Sequence, residues 1–214
     1  MAHKVGVVRF LGTNCDFDIL KWVSNSGGKA EFVWHENQFS VSDYDALILP
    51  GGFSYGDYLR CGALAARSPV MKSVAEFAQK GKPVLGICNG FQILCEAGLL
   101  PGVLIRNEGL LFKDEWANIQ VVQQKSFFGK KLKPNQEVCL PIAHGDGRFY
   151  ADSETLKKIQ DQECVWLKYS KNPNGSVADI AGVTNKNGNV FGLMPHPERA
   201  QFSWMGSTDG EFFL

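Results

Sequence analysis

The sequence has no excess of either charge: 22 Lys and Arg stand against 22 Asp and Glu in 214 residues. A general polyanion binder concentrates Lys and Arg on one face. The basic doublets here, Lys130-Lys131 and Lys157-Lys158, read instead as solvated faces, so no nucleic-acid footprint is expected. Neither Gly-x-x-x-x-Gly-Lys-Ser/Thr nor Gly-x-Gly-x-x-Gly occurs, which removes both standard phosphate-cradling loops. Cys-x-x-Cys and His-Glu-x-x-His are also missing, so neither a structural nor a hydrolytic zinc, nor any other metal or cofactor, is expected in this chain. The six cysteines, at 15, 61, 88, 95, 139 and 164, read as reduced thiols. Long hydrophobic runs are absent too. Val5-Gly6-Val7-Val8 is broken by Arg9, too short for a signal core or a membrane span, and the expected location is the cytoplasm.

What remains is ordinary globular material, 44% hydrophobic and 12% aromatic, sized for one domain over residues 1–214. A chain of this length buries about 70% of its unfolded surface without a staple. Short β-branched runs alternate with longer amphipathic stretches. Strands are expected at Lys4–Phe10, Ala30–Trp34, Ala46–Leu49 and Val84–Ile87. Helices are expected at Asp16–Ser26, at Pro69–Gln79 and from Asn89 to about Ala97, the first closed by Gly27-Gly28 and the second by Gly81. Strand–helix alternation with continuous apolar strands predicts a parallel sheet covered on both faces. Beyond residue 103 the segments shorten and alternate: Ile119–Val122, Val138–Ile142, Val165–Tyr169, Ala178–Val183 and Val190–Leu193. Turn signals at Asn172-Pro173-Asn174-Gly175 and Asn187-Gly188-Asn189 make them antiparallel hairpins added to the parallel core. The fold class is α/β, a single domain with a mostly parallel central sheet.

Three segments carry chemistry. Gly86-Ile87-Cys88-Asn89-Gly90 leaves a strand and opens a helix, a Gly-x-nucleophile-x-Gly elbow with Cys as nucleophile. Such a turn places a thiol at a helix N-terminus, where its pKa is lowered and backbone N–H groups can meet an oxyanion. A thiolate needs a base. Of the four histidines, His3 and His35 read as surface residues, whereas His196 sits in Met194-Pro195-His196-Pro197-Glu198-Arg199. A residue before proline is pushed out of the helical region, so His196 is expected to be extended, with Glu198 on the same face to orient its ring. Cys88, His196 and Glu198 then supply nucleophile, base and orienting acid. Gly51-Gly52 follows the third strand at the same sheet edge, where open α/β sheets bind ligands. Gly52 N–H beside Asn89 N–H is the expected oxyanion hole.

Gly-Gly after a strand, Gly86 to Gln92 as Gly-x-Cys-x-Gly-x-Gln, and a late His-Pro-Glu resemble the class I glutamine amidotransferases, with their flavodoxin-like fold. The loop Gly51–Gly62, with Ala143-His144-Gly145-Asp146-Gly147-Arg148-Phe149 and Gly206–Gly210, is similar to the subfamily that serves phosphoribosylformylglycinamidine synthases as glutaminase subunit. The similarity runs from Val5 to about Gly210; Leu11 and Asp146 stand where that subfamily usually has Pro and Glu. The resemblance implies that Cys88 attacks the side-chain amide of L-glutamine, with Gly52, Gln92, His144 and Gly145 helping to hold it. It further implies that ammonia passes to a larger synthetase subunit, which carries the ATP and Mg2+, with a small bridging subunit in the complex. Two readings of other kinds stand beside it. One is a stand-alone Cys-His hydrolase acting on peptides or γ-glutamyl conjugates; the other is a silent module that only activates a synthetase.

Overall fold

The computed structural model describes residues 3–125 and 127–214. In chain order the elements are β1 (Lys4–Arg9), α1 (Asp16–Asn25), β2 (Lys29–Trp34), β3 (Ala46–Leu49), α2 (Val70–Gln79), β4 (Val84–Ile87) and α3 (Asn89–Glu96). There follow β5 (Val103–Ile105), β6 (Lys113–Val121), β7 (Glu137–His144), β8 (Arg148–Tyr150), α4 (Ser153–Asp161), β9 (Val165–Tyr169), β10 (Ile180–Thr184) and β11 (Val190–Leu193). Nine strands form one sheet in the order β2-β1-β3-β4-β11-β10-β9-β6-β7, while β5 and β8 pair separately.

The first five strands of that order are mutually parallel. Their apolar runs explain why: β3 and β4 are buried at every residue and present no polar face to water. The helices cover them with one face each. α1 buries Ile19, Trp22 and Val23, and α2 buries Val74, Phe77 and Ala78. α3 is different. Everything from Asn89 to Cys95 is buried, so this helix lies inside the molecule behind Cys88.

Two expectations need correction, and two elements were not expected. Val190–Leu193 is antiparallel to β10, as expected, but its other edge pairs in parallel with β4. It therefore closes the parallel half, and the antiparallel strands extend the same sheet. The helix Ser153–Asp161 and the small β5–β8 pair carried no clear signal. Of that helix only Ile159 is fully buried, and its start is fixed by Asp152 accepting from Thr155 N–H. His35 is not a surface residue: it is 6% exposed, stacked on Phe10 and tilted against Trp34, with Nδ1 2.9 Å from the Tyr55 hydroxyl.

Strand direction places the site. The segments after β1, β3, β4 and β11 all emerge at one carboxyl edge, and they carry Cys15, Gly51-Gly52, Cys88 and His196.

Candidate active site

Cys88 occupies the turn between β4 and α3 at φ 51° and ψ −106°. A side chain at positive φ is strained, by about 1–3 kcal/mol for such regions, and persists only where the surroundings dictate it. Here they do. A methyl on Gly86 would fall 2.5 Å from the Gly90 carbonyl oxygen, and one on Gly90 would overlap the Leu49 carbonyl oxygen of β3. Two glycines thus let the helix start directly against the neighbouring strand. Cys88 N–H donates to Leu193 O at 2.8 Å, tying the elbow to β11. Its sulfur lies 3.8 Å from the Ala143 carbonyl oxygen, on the end of β7.

His196 is pinned by its own backbone, N–H donating to Pro141 O at 2.8 Å. Its φ of −109° and ψ of 85° are non-helical, as a residue before proline should be. Glu198, however, is not on an extended segment. Pro197–Arg199 forms a 3-10 turn, and this turn rather than strand alternation brings Glu198 Oε1 to 2.6 Å from His196 Nδ1. Both side chains are almost wholly buried. Gln201 Nε2 donates to Glu198 O at 2.7 Å and secures the turn.

Burial opposes a charge on His196, but Glu198, the Cys88 sulfur and contact with Cys15 outweigh it and hold the imidazole pKa well above its ordinary value. His196 Nε2, buried, has no well-aligned partner. A groove of about 440 Å³ reaches the ring, walled by Trp116, Ala143, Arg199 and Trp204.

The glycine loop closes the site from β3. A methyl on Gly51 would meet His196 Cε1 at 2.8 Å, Cys15 Sγ at 3.0 Å and Cys88 Cβ at 3.4 Å, so only glycine fits there. Gly52 forms an isolated bridge with Thr13. Tyr55, at φ 54°, anchors the loop through its hydroxyl, 2.9 Å from both His35 Nδ1 and Ser68 Oγ.

The expected glutamine-holding residues are brought to the same edge but are engaged in unexpected ways. Gln92 is a strut: its Oε1 accepts from Asn89 Nδ2 at 2.9 Å, and its Nε2 donates to Asp146 O at 2.7 Å. Asn89 Oδ1 in turn accepts from Ser54 N–H at 3.2 Å. The chain Ser54–Asn89–Gln92–Asp146 therefore ties the glycine loop to the loop following β7. His144 lies beneath that second loop. Burial and then the charge of His196 push its pKa down to about 4, so it is neutral near neutral pH. Its Nδ1 lies 3.2 Å from Asn107 Oδ1, and its Nε2 is buried without a partner. Gly145 faces the Phe112 ring.

Sequence reasoning missed the supports of these groups. Asn107, nearly fully buried, donates to Leu111 O and His144 O at 2.9 Å each and accepts from Gly147 N–H at 3.1 Å. Asn174 donates to Gly147 O at 2.9 Å. Cys15, beside the His196–Glu198 pair, was also missed. None has a local pattern; only an Asn-Pro-Asn-Gly turn hinted at Asn174.

A parallel sheet with a cysteine elbow facing a buried His–Glu pair is the architecture of a glutamine amidotransferase. The family model described as a CobB/CobQ-like glutamine amidotransferase domain matches residues 2–211. Within that class the chain belongs to the family of phosphoribosylformylglycinamidine synthase subunit PurQ. It is 51% identical to the PurQ subunit of Helicobacter hepaticus over 99% of this chain and 95% of that one. It is 52% identical to a Prochlorococcus marinus PurQ subunit over 98% and 95%. Among solved structures, PurLQS from Thermotoga maritima superposes with a TM-score of 0.91 at 42% identity, over 99% of this chain and 95% of that one. A second Thermotoga maritima structure, a glutamine amidotransferase, shares the fold at a TM-score of 0.60 and 20% identity, over 94% of this chain and 78% of that one.

Proposed function

We propose that this chain is the glutaminase subunit of phosphoribosylformylglycinamidine synthase, releasing ammonia from L-glutamine for a larger synthetase subunit of PurL type. The observation that carries the chemistry is the buried His196–Glu198 pair, 2.6 Å apart, standing beside the elbow cysteine. His196 takes the Cys88 proton, and the sulfur attacks the side-chain amide carbon of glutamine. The carbonyl oxygen becomes an oxyanion facing Gly52 N–H and Asn89 N–H, donors fixed before the charge develops. The C–N bond breaks as His196 returns the proton to nitrogen. Ammonia leaves, and a γ-glutamyl thioester remains on Cys88. Water then gives a proton to His196 and attacks the thioester; glutamate departs and the thiol is restored. Gly52, Gln92, His144 and Gly145 form the glutamine pocket, Gln92 and His144 chiefly by holding the walls.

The ligation that consumes the ammonia converts formylglycinamide ribonucleotide to the amidine, in the route to purines. Its ATP and Mg2+ belong to the PurL-type subunit, and a PurS-type subunit bridges the complex. Relatives named as synthase subunits across nearly the whole chain favour this reading over a stand-alone hydrolase. Among the described residues no helix is long and apolar enough to cross a membrane. The cytoplasm is the proposed place of work because the relatives are named as subunits of the same purine-route synthase. The test is glutamine hydrolysis with and without the PurL-type and PurS-type subunits. Glutamate release coupled to amidine formation is expected; cleavage of peptides by the chain alone, without coupling, would overturn the proposal.

A further inference from the structure

The mechanism above makes no use of Cys15, yet this thiol is only 2% exposed and stands among the catalytic groups. Its sulfur, a ring nitrogen of His196 and a carboxylate oxygen of Glu198 all lie within 4.8 Å of one another. The placement is built from the backbone. Asn14 N–H and Cys15 N–H both converge on Gly51 O, at 3.4 and 3.2 Å, so the start of α1 is clamped to the oxyanion loop. That clamp holds the sulfur within contact of the position where any side chain at Gly51 would strike His196. The thiol makes one further contact, 3.1 Å to Asn14 Oδ1, and does not cap α1.

We propose that Cys15 is a positioning residue for glutamine hydrolysis, a neutral sulfur that packs against the His196 ring and stabilises its protonated form. One nitrogen is held by Glu198, whereas the other must serve Cys88 during attack and water during thioester breakdown. A ring held at one nitrogen only can pivot about that bond. A sulfur packed this close limits the pivot, and an atom that accepts a hydrogen bond from the charged ring favours the protonated form. Burial raises the pKa of Cys15 itself, and contact with His196 only partly offsets this, so the sulfur remains a thiol. A thiol at this place adds no charge that would compete with Cys88 for the proton.

The other groups around His196 are Cys88 from the elbow, Glu198 and Arg199 from its own turn, His144 from β7, and Asp114 and Glu115 from β6 along the groove.

The inference rests on the glutaminase reading, and the experiment separates the two. The complex of this chain with its PurL-type and PurS-type subunits is assayed for glutamine hydrolysis as wild type, Cys15→Ala and Cys15→Ser, together with the pH dependence of Cys88 alkylation by iodoacetamide. Cys88 and Cys15 labelling are distinguished by peptide mass. For Cys15→Ala, kcat should fall roughly ten- to hundred-fold, the scale for a misplaced catalytic group, with KM for glutamine unchanged. The upper limb of the alkylation profile should move to lower pH, because the imidazolium loses a stabilising neighbour. Cys15→Ser, which keeps a polar group of similar size, should recover most of kcat. Unchanged kcat and pH profile in Cys15→Ala, even with a lower melting temperature, would reduce Cys15 to packing and overturn the inference. A raised KM at unchanged kcat would overturn it as well, placing the residue in substrate binding. Absence of glutamine hydrolysis in the wild-type complex would instead overturn the function on which it rests.

Discussion

Glu198 Oε1 lies 2.6 Å from His196 Nδ1, and the contact is buried on both sides. A carboxylate there fixes the ring tautomer that leaves Nε2 for the thiol, and it stabilises the imidazolium once formed. Glu198→Gln keeps the shape and removes the charge. We expect kcat for glutamine hydrolysis to fall by about 10²- to 10⁴-fold with little change in KM. The sign of the accompanying stability change follows from linkage. His196 has a raised folded pKa, so its stabilisation is complete below the unfolded value of about 6.5 and is lost as pH rises through the folded value. The stability gap between wild type and Glu198→Gln, from urea melts, should therefore be largest in mildly acidic buffer and narrow in alkali.

Cys88→Ala removes the only sulfur placed on the elbow. In the assembled complex we expect glutamine-dependent amidine synthesis to vanish while synthesis from added ammonium salt persists, because the proposed role of Cys88, His196 and Glu198 is to supply ammonia only. Parallel assays with the two nitrogen sources check this. Loss of both activities would contradict the division of labour.

The core of the site was readable because its signals are local. The elbow is five consecutive residues and the His–Glu pair is separated by one proline, so spacing links these residues by proximity, although a 3-10 turn and not strand alternation sets the His–Glu geometry. The parallel strands were readable for a similar reason: β3 and β4 are unbroken apolar runs, and glycine or proline marks their ends. What was hidden depends on distant partners. His35 is a polar residue whose burial is satisfied by Tyr55, from a loop twenty residues on. Cys15 gains its meaning only when β1 and β3 lie side by side. Ser153–Asp161 keeps one narrow apolar edge, too weak a period to separate from a loop.

His144 predicts an acid weakness with the opposite sign to His196. The folded protein protonates it only below about 4, whereas the unfolded chain does so from about 6.5. Between those values the unfolded state binds more protons, so stability falls as pH drops and levels off below 4. Since 1.36 kcal/mol accompanies each pKa unit, the loss approaches about 3 kcal/mol. His144→Gln, uncharged at any pH, should flatten this slope in urea melts taken from pH 7 to 4. An unchanged slope would place the acid sensitivity elsewhere.

Gly90 tests the steric origin of the elbow. An added methyl would collide with the Leu49 carbonyl oxygen, which is backbone of the adjacent strand and cannot step aside cheaply. Overpacking of a rigid interior costs about 1–3 kcal/mol and occasionally more. Gly90→Ala should therefore lower the melting temperature and abolish hydrolysis, even though Cys88, His196 and Glu198 are all retained. Gly81, whose added methyl would meet nothing within 4 Å, supplies a control. Its φ of +76° costs Gly81→Ala some stability but should leave kcat intact.

Asn107 is a structural bracket for the wall of the proposed glutamine pocket. One amide serves two carbonyl oxygens and one N–H, at Leu111, His144 and Gly147, and its oxygen also touches His144 Nδ1. Removing it in Asn107→Ala strands the buried His144 carbonyl and Gly147 N–H, at about 1–3 kcal/mol for each left unpaired, while the exposed Leu111 carbonyl can turn to water. The 145–147 loop would then keep the backbone bond from residue 107 N–H to Gly145 O, with Gln92 at Asp146 O and Asn174 at Gly147 O, but would lose its side-chain bracket. Neither the elbow nor the His196–Glu198 pair touches Asn107, so the chemical step keeps its geometry. The expected signature is a KM for glutamine raised about tenfold or more, a smaller change in kcat and a lower melting temperature, measured in the assembled complex. A fall in kcat at constant KM would show that the loop shapes the reacting groups rather than the substrate pocket.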